Sequence, residues 1–160
     1  MAATERDAEV LVEGESETMG PALDFLRLLW SVDHALQTSS KRAEKSQGAT
    51  GPQALVLRIM SLKPGVSAGQ IAELLHVHPS TLTGILQRLE QRGMITRKDD
   101  PADARRTLLN LSAKGRKVVT SKSSPSESAI KKVLAKMPGK VDAARDLLQA
   151  LAEELEQTQA

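Results

Sequence analysis

The sequence predicts a mainly helical α+β chain: helices, then a small two-stranded hairpin, then helices again. Three observations carry that prediction. Apolar residues recur at three- and four-residue spacing through most of the 160 residues, which is the period of amphipathic helices. Two short segments, Met94 to Arg97 and Thr107 to Leu111, depart from that period and flank a charged run from Lys98 to Arg106. They read as two strands and the loop that joins them. Capping residues punctuate the helical runs at Thr50, Ser67, His78 and Ser112.

Residues 1–19 are acidic and lack apolar periodicity, so a disordered or weakly helical arm is expected there. Pro21 suits the first position of a helix. From Ala22 the residues Phe25, Leu26, Leu29, Trp30, Ala35 and Leu36 form a broad stripe that ends near Ala43 to Lys45. A long amphipathic helix at the edge of a small domain commonly buries such a stripe against another chain. Thr50 with Gln53 is a capping box, and Leu55, Val56, Ile59, Met60 and Leu62 supply a core face. Lys63-Pro64-Gly65 stops that helix, because proline cannot continue it. Ser67 with Gln70 is a second capping box, opening a short helix whose inward residues are Ile71, Ala72, Leu74 and Leu75.

The following turn is HVHP, with His78 as the cap and Pro79 as the first residue of the next helix. Leu82, Ile85, Leu86 and Leu89 form its buried stripe, and Arg92-Gly93 ends it. After the hairpin, Ser112 caps a helix from Ala113 to about Ser123, which Ser124-Pro125 interrupts. Helix resumes from Glu127 to Lys136, breaks at Met137-Pro138-Gly139, and runs again from Lys140 to about Leu155. That last helix carries Val141, Ala144, Leu147, Leu148, Leu151 and Leu155, a stripe too apolar to be left in water.

Composition narrows the function classes. Hydrophobic content of 40% supports a core, but aromatics are 1% of residues, Phe25 and Trp30, so the core must be aliphatic. Without cysteine there is no disulfide and no thiolate chemistry. No secretory signal and no apolar run of about 18 residues is visible, so a soluble cytoplasmic protein is expected, with no membrane partner. Net charge is only +2, but it is unevenly placed: residues 1–20 carry one base and six acids, residues 62–117 ten bases and five acids. The local excess is the footprint expected of a surface that meets nucleic acid, although any solvated basic face would look alike.

Two short helices joined by a tight turn and followed by a hairpin make a winged helix-turn-helix. In that fold the second helix enters the DNA major groove and the loop of the hairpin reaches the backbone or minor groove. The outward face of the second helix offers Ser80, Thr81, Thr83, Gly84, Gln87 and Arg88. Small groups permit close approach, and the polar ones can bond base edges and phosphates. Gly84 costs about 1 kcal/mol against alanine inside a helix. Either close approach to DNA or close packing on a neighbouring helix would justify it.

The stretch Leu75 to Arg116 fits LxVxxSTLTxxLxxLExxGxIxRxxDPxDARRTLLxLSxxGR, a pattern that resembles the MarR family of winged-helix regulators. Its most specific part is Asp100-Pro101-Ala102-Asp103-Ala104-Arg105-Arg106, followed by Leu-Asn-Leu-Ser and Lys-Gly-Arg. The resemblance covers residues 21–157 and leaves the acidic arm outside. It implies a homodimer with the first and last helices of both subunits interleaved, bound to a palindromic double-stranded DNA operator. It also implies that the helix from Pro79 to Arg92 lies in the major groove and that the wing reaches the minor groove. Arg105 matches the family's wing-tip arginine and Asp103 the acid that orients it, with Arg106 a neighbouring candidate and Lys98 at the wing's start. Family members commonly repress nearby genes and release DNA when a small effector binds.

The physical reading agrees: a narrow minor groove concentrates negative potential, and an aspartate that fixes the guanidinium beforehand lowers the ordering cost. A solvated loop with a surface ion pair, contributing less than about 1 kcal/mol, is the bland alternative. Trp30 and His34, one turn apart, share a helix face. The resemblance places them beside the effector pocket; a tryptophan in the dimer core with a histidine at its edge is the simpler explanation. His76, His78 and His34 without cysteine make a poor ligand set, so no metal and no cofactor is expected.

These readings divide the chain into an arm (1–19), a helical dimerisation region (20–49 and 112–160) and a winged helix-turn-helix DNA-binding domain (50–111). With no glycine-rich phosphate loop, nucleophile elbow or metal cluster, an enzyme is not expected. The function expected is sequence-specific transcriptional regulation as an effector-relieved repressor. The alternative is a winged-helix protein-interaction module without sequence-specific DNA binding.

Overall fold

A computed structural model describes residues 20–120 and 123–158, and for residues 104–106 the backbone alone. The expected acidic arm, residues 1–19, lies outside the described residues. The chain divides into two units, residues 1–34 and 35–160. Of the first unit, Gly20 and the opening turns of helix α1 (Pro21–Gln47) are described. Leu23, Leu26, Leu28, Trp30 and Val32 are exposed along it.

In the second unit the elements follow the expected order. Helix α2 (Gly51–Leu62) starts from the Thr50 capping box: Gln53 N donates to Thr50 Oγ1, and Thr50 N donates to Gln53 Oε1 at 3.1 Å. Helix α3 (Ala68–Leu75) starts from the matching box of Ser67 and Gln70. It ends at His76, whose φ of 48° is left-handed, and the His76 and Val77 amides turn back to carbonyls of the last turn. Helix α4 (Pro79–Gln91) begins at once, capped by His78, whose Nδ1 accepts from Ser80 N. Both histidines of the HxH pair therefore have a place in the turn: one stops a helix and the other starts the next.

Strands β1 (Ile95–Asp100) and β2 (Asp103–Leu111) pair antiparallel, with Ile95 opposite Leu111 and Asp99 opposite Thr107. Val66 adds one bridge to Leu109, tying the α2–α3 connection to the hairpin. Helix α5 (Ala113–Thr120) is capped by Ser112, whose Oγ accepts from Gly115 N and donates to the Gly93 carbonyl. Helix α6 (Pro125–Lys136) takes Ser124 as its cap and Pro125 as its first residue, so the serine-proline pair interrupts the helical run as expected and also starts the next helix. A single 3-10 turn (Pro138–Lys140) leads into α7 (Val141–Gln157).

The core is aliphatic, as the composition requires. Val56, Leu57 and Met60 of α2, Ile71 and Ala72 of α3, Leu82, Leu86 and Leu89 of α4, and Met94, Ile95 and Leu109 of the hairpin form one buried cluster. Two expected faces need correction. Leu55 and Leu62 are exposed, while Leu57 is fully buried. Helix α2 packs against α4, α5 and β2, so its inward arc is set by several neighbours and not by one stripe. Leu74 is also exposed, on the side of α3 where it borders an open cleft with Leu108 and Pro64.

One further tie was not expected. Arg58 of α2 donates to the Val119 carbonyl at 3.0 Å and to Glu127 Oε2 at 3.3 Å, joining α2 to α5 and α6. The Lys131 ammonium, 2.7 Å from the other Glu127 oxygen, is the main cause of a carboxyl held below its usual range. Arg58 adds to it, and partial burial opposes both.

Candidate nucleic-acid interface

The helix-turn-helix presents α4 with its two faces cleanly separated. Leu82, Leu86 and Leu89 are buried, whereas Ser80, Thr81, Thr83, Gln87 and Arg88 are exposed and Gly84 is partly buried. At 3.6 residues per turn the latter six occupy one continuous arc, with Gly84 near its middle. All six candidates therefore share one outward surface.

Within that surface the polar groups are not equivalent. Thr83 Oγ1 donates to the Pro79 carbonyl at 2.8 Å, and Ser80 Oγ lies 2.7 Å from His78 Nδ1. Both hydroxyls are thus engaged locally and support the helix start. Thr81, Gln87 and Arg88 make no side-chain hydrogen bond among the described residues, which leaves an amide, a hydroxyl and a guanidinium available to a ligand. A Cβ built on Gly84 would meet nothing within 4 Å. Packing within the chain therefore does not account for this glycine, one of the two explanations open from sequence.

The wing departs from expectation. Lys98 to Arg106 was expected as a loop, but β1 extends through Lys98 to Asp100 and β2 begins at Asp103. Only Pro101 and Ala102 remain as the turn, beside a bulge at Asp99 and Asp100. Charged residues are tolerated in a ribbon exposed to water, and the Asp100 carboxylate accepts from Ala102 N at 2.9 Å to fix the tip. Lys98 is exposed on β1, opposite Leu108. Asp103 opposes Asp100 at the tip, and the backbone of Arg105 and Arg106 lies in β2. The Arg105 and Arg106 side chains, and so the expected pairing of Arg105 with Asp103, lie outside the described residues.

Sequence reasoning passed over Arg97. Its Nε donates to both oxygens of Glu90 at 3.2 and 3.1 Å, linking the base of the wing to α4. Both side chains are more than a third exposed, so the pair contributes modestly to stability, yet it joins the two elements that would meet DNA. An Arg seven residues after a Glu across a turn was visible in the sequence; what was missing was the strand's direction.

On α1, Trp30 and His34 lie along one face as their spacing requires. They share that open face with Leu23, Leu26, Arg27 and Ser31. Trp30 is 75% exposed there.

Comparison with known proteins now decides the family. Residues 50–107, the α2-to-wing segment, match the MarR family model. Transcriptional regulator HosA of Escherichia coli O111:H- is 33% identical over 90 residues, 56% of this chain and 67% of that protein. The chain belongs to the MarR family. Other HosA sequences match over 52% of their length. The HTH-type transcriptional repressor Rv2887 of Mycobacterium tuberculosis is 28% identical over 110 residues, 69% of this chain and 79% of that one. Among solved structures, the transcriptional regulator SlyA superposes with a TM-score of 0.73 at 24% identity, covering 84% of this chain and 99% of that one. That likeness establishes the fold: mostly helical, with a two-stranded wing and helices at both ends. As a MarR-family member the protein is a DNA-binding transcriptional regulator. Among the described residues no helix is long and apolar enough to cross a membrane.

Proposed function

We propose that this MarR-family protein is a cytoplasmic homodimeric repressor that reads a palindromic operator and is released from it by a small-molecule effector. The observation that carries the DNA-reading part is the outward arc of α4. It presents unengaged Thr81, Gln87 and Arg88 around a glycine whose Cβ direction is open. An amide and a guanidinium can each make paired bonds to purine edges, and a missing side chain lets the helix approach the groove floor. Ser80 and Thr83 stabilise the helix start from the same exposed face. Lys98, Arg105 and Arg106 of the wing supply the minor-groove and backbone contacts, with Asp103 orienting Arg105.

The dimer reading rests on what a single chain leaves in water. Leu147, Leu148 and Leu155 on α7 are each more than half exposed, and so are Leu23, Leu26 and Trp30 on α1. Faces of that size are rare on a monomer, and a second copy of the chain is the occupant that the family organisation supports. Residues 20–49 and 112–160 then form the dimerisation region and 50–111 the DNA-binding domain. Two heads related by a two-fold axis require half-sites about one helical turn apart. Trp30 and His34 are the candidate effector contacts: an indole face for stacking and an imidazole for a hydrogen bond.

The test is Arg105→Ala against a duplex selected from host genomic fragments by the unmodified protein. Binding at fixed salt should weaken by roughly 1–3 kcal/mol while the oligomeric state and melting temperature hold. Unchanged affinity would remove the wing from the mechanism. Failure of the unmodified protein to select any fragment would favour the protein-interaction module instead.

A further inference from the structure

Arg92 closes the C-terminal end of the recognition helix, and its guanidinium is engaged within the protein. Nη1 donates to the Gly48 carbonyl at 3.0 Å and to Gln53 Oε1 at 3.0 Å, and Nη2 donates to Glu44 Oε1 at 2.9 Å. The three acceptors come from the last turn of α1, the α1–α2 connection and the first turn of α2. Gln53 is only 4% exposed, and the oxygen that receives Arg92 also accepts from Thr50 N at 3.1 Å to close the capping box. Ser40 Oγ accepts from Gly51 N at 2.7 Å and secures the same corner. On the other side, the Arg92 carbonyl accepts from Lys114 Nζ at 2.8 Å, bringing α5 into the junction.

This arrangement differs in kind from the apolar contacts that hold α4. Leu82, Leu86 and Leu89 anchor the helix by apolar packing, which resists lifting but is weakly directional. Hydrogen bonds from a planar fork to three separate acceptors are directional, and a lysine presents no such fork. The start of α4 is held by the His78 cap and Pro79. With its end held by Arg92, pivoting of the helix on its leucines requires breaking bonds to α1 and α2.

Resting on the DNA-binding reading above, we infer that Arg92 is a positioning residue. It sets the angle at which α4 meets the major groove without touching DNA, and it makes that angle depend on the α1–α2 corner. A displacement of the last turn of α1 is carried to the reading head through Glu44 and Arg92. Arg92 would otherwise be counted among the bases that meet phosphate; three of its donor bonds are directed inward.

The experiment compares two duplexes of equal length across a salt series: one selected from genomic fragments by the unmodified protein, the other of random sequence. Glu44→Gln and Arg92→Lys should each weaken binding to the selected duplex by roughly three- to tenfold, the range for a partly exposed charged hydrogen-bond network. Affinity for the random duplex and the salt slope should stay unchanged. The double variant should fall no further than the weaker-binding single one, since both weaken one coupling. Glu44→Gln keeps the shape of the side chain and carries the test should Arg92→Lys lower the melting temperature.

Direct phosphate contact by Arg92 would leave Glu44→Gln neutral and shift both duplexes together, and that result overturns the inference. A parallel loss on both duplexes with a lowered melting temperature also overturns it, leaving a structural tie alone. If the unmodified protein selects no duplex, the DNA-reading proposal fails as well. Selection that survives Glu44→Gln unaltered sinks this inference alone.

Discussion

Replacing Gly84 by alanine should move stability and DNA affinity in opposite directions. Gly84 lies inside α4 with its Cβ direction empty to 4 Å, so the added methyl strains nothing within the chain. Alanine in a helix interior is favoured over glycine by about 1 kcal/mol. For a chain of this size that corresponds to a melting temperature higher by about 2–4 °C. The same methyl projects from the middle of the arc formed by Ser80, Thr81, Gln87 and Arg88. If bases lie in van der Waals contact there, inserting a methylene-sized group costs roughly 1–3 kcal/mol, about a 5- to 150-fold loss of affinity. Thermal denaturation read by circular dichroism and a titration of the selected duplex at fixed salt measure the two effects. A higher melting temperature with unchanged affinity would mean that the glycine does not serve groove approach. A lower melting temperature would mean that the position packs against a second protein surface and is not open.

Gly115 is the opposite case: a Cβ there would collide with the Met94 carbonyl oxygen and press on Leu111, so Gly115→Ala should lower stability by roughly 1–3 kcal/mol in a denaturant titration. A neutral result would show that α5 can shift away from the hairpin at no cost. Removing α7 by truncation after Gly139 takes away Leu147, Leu148 and Leu155, and sedimentation should then find monomer or aggregate; an intact soluble dimer would contradict the interface. Glu127 titrates below its usual value of 4.5 when folded, so its contribution is present above the unfolded pKa and lost as pH falls through the folded one. Melting curves taken from neutral pH down through the carboxylate range should therefore be shallower for Glu127→Gln than for the unmodified protein.

The caps and stops were legible because they are local. Thr50 with Gln53, Ser67 with Gln70, His78 with Pro79 and Lys63-Pro64-Gly65 each act within a few residues, and the structure places every one as read. The inward face of α2 was not legible, because which of Leu55, Leu57 and Leu62 is buried depends on α4, α5 and β2, which come from distant sequence. The wing was misjudged for a different reason. Charge between Lys98 and Arg106 looks like loop when strands are recognised by apolar alternation, but a solvated hairpin needs none. The arc of α4 was readable from periodicity alone, whereas the local engagement of Ser80 and Thr83 required coordinates.

The basic excess of residues 62–117 shows how far composition carries and where it stops. Ten bases suggested a broad phosphate-binding surface. Four of them direct donors inward: Arg92 to Glu44, Gln53 and Gly48, Arg97 to Glu90, Lys114 to the Arg92 carbonyl, and Arg116 to the Leu111 carbonyl. On the proposed DNA-binding reading, a base already bonded within the chain makes a poorer phosphate contact than one that is not. The salt dependence of binding, at about −0.9 per phosphate neutralised, should then fall short of a count of bases. The inward arginines join α4 to the wing and to the α1–α2 corner. On the proposed reading, Arg92 and Arg97 serve DNA binding through geometry as well as charge, by fixing how the outward groups of α4 and the wing are presented.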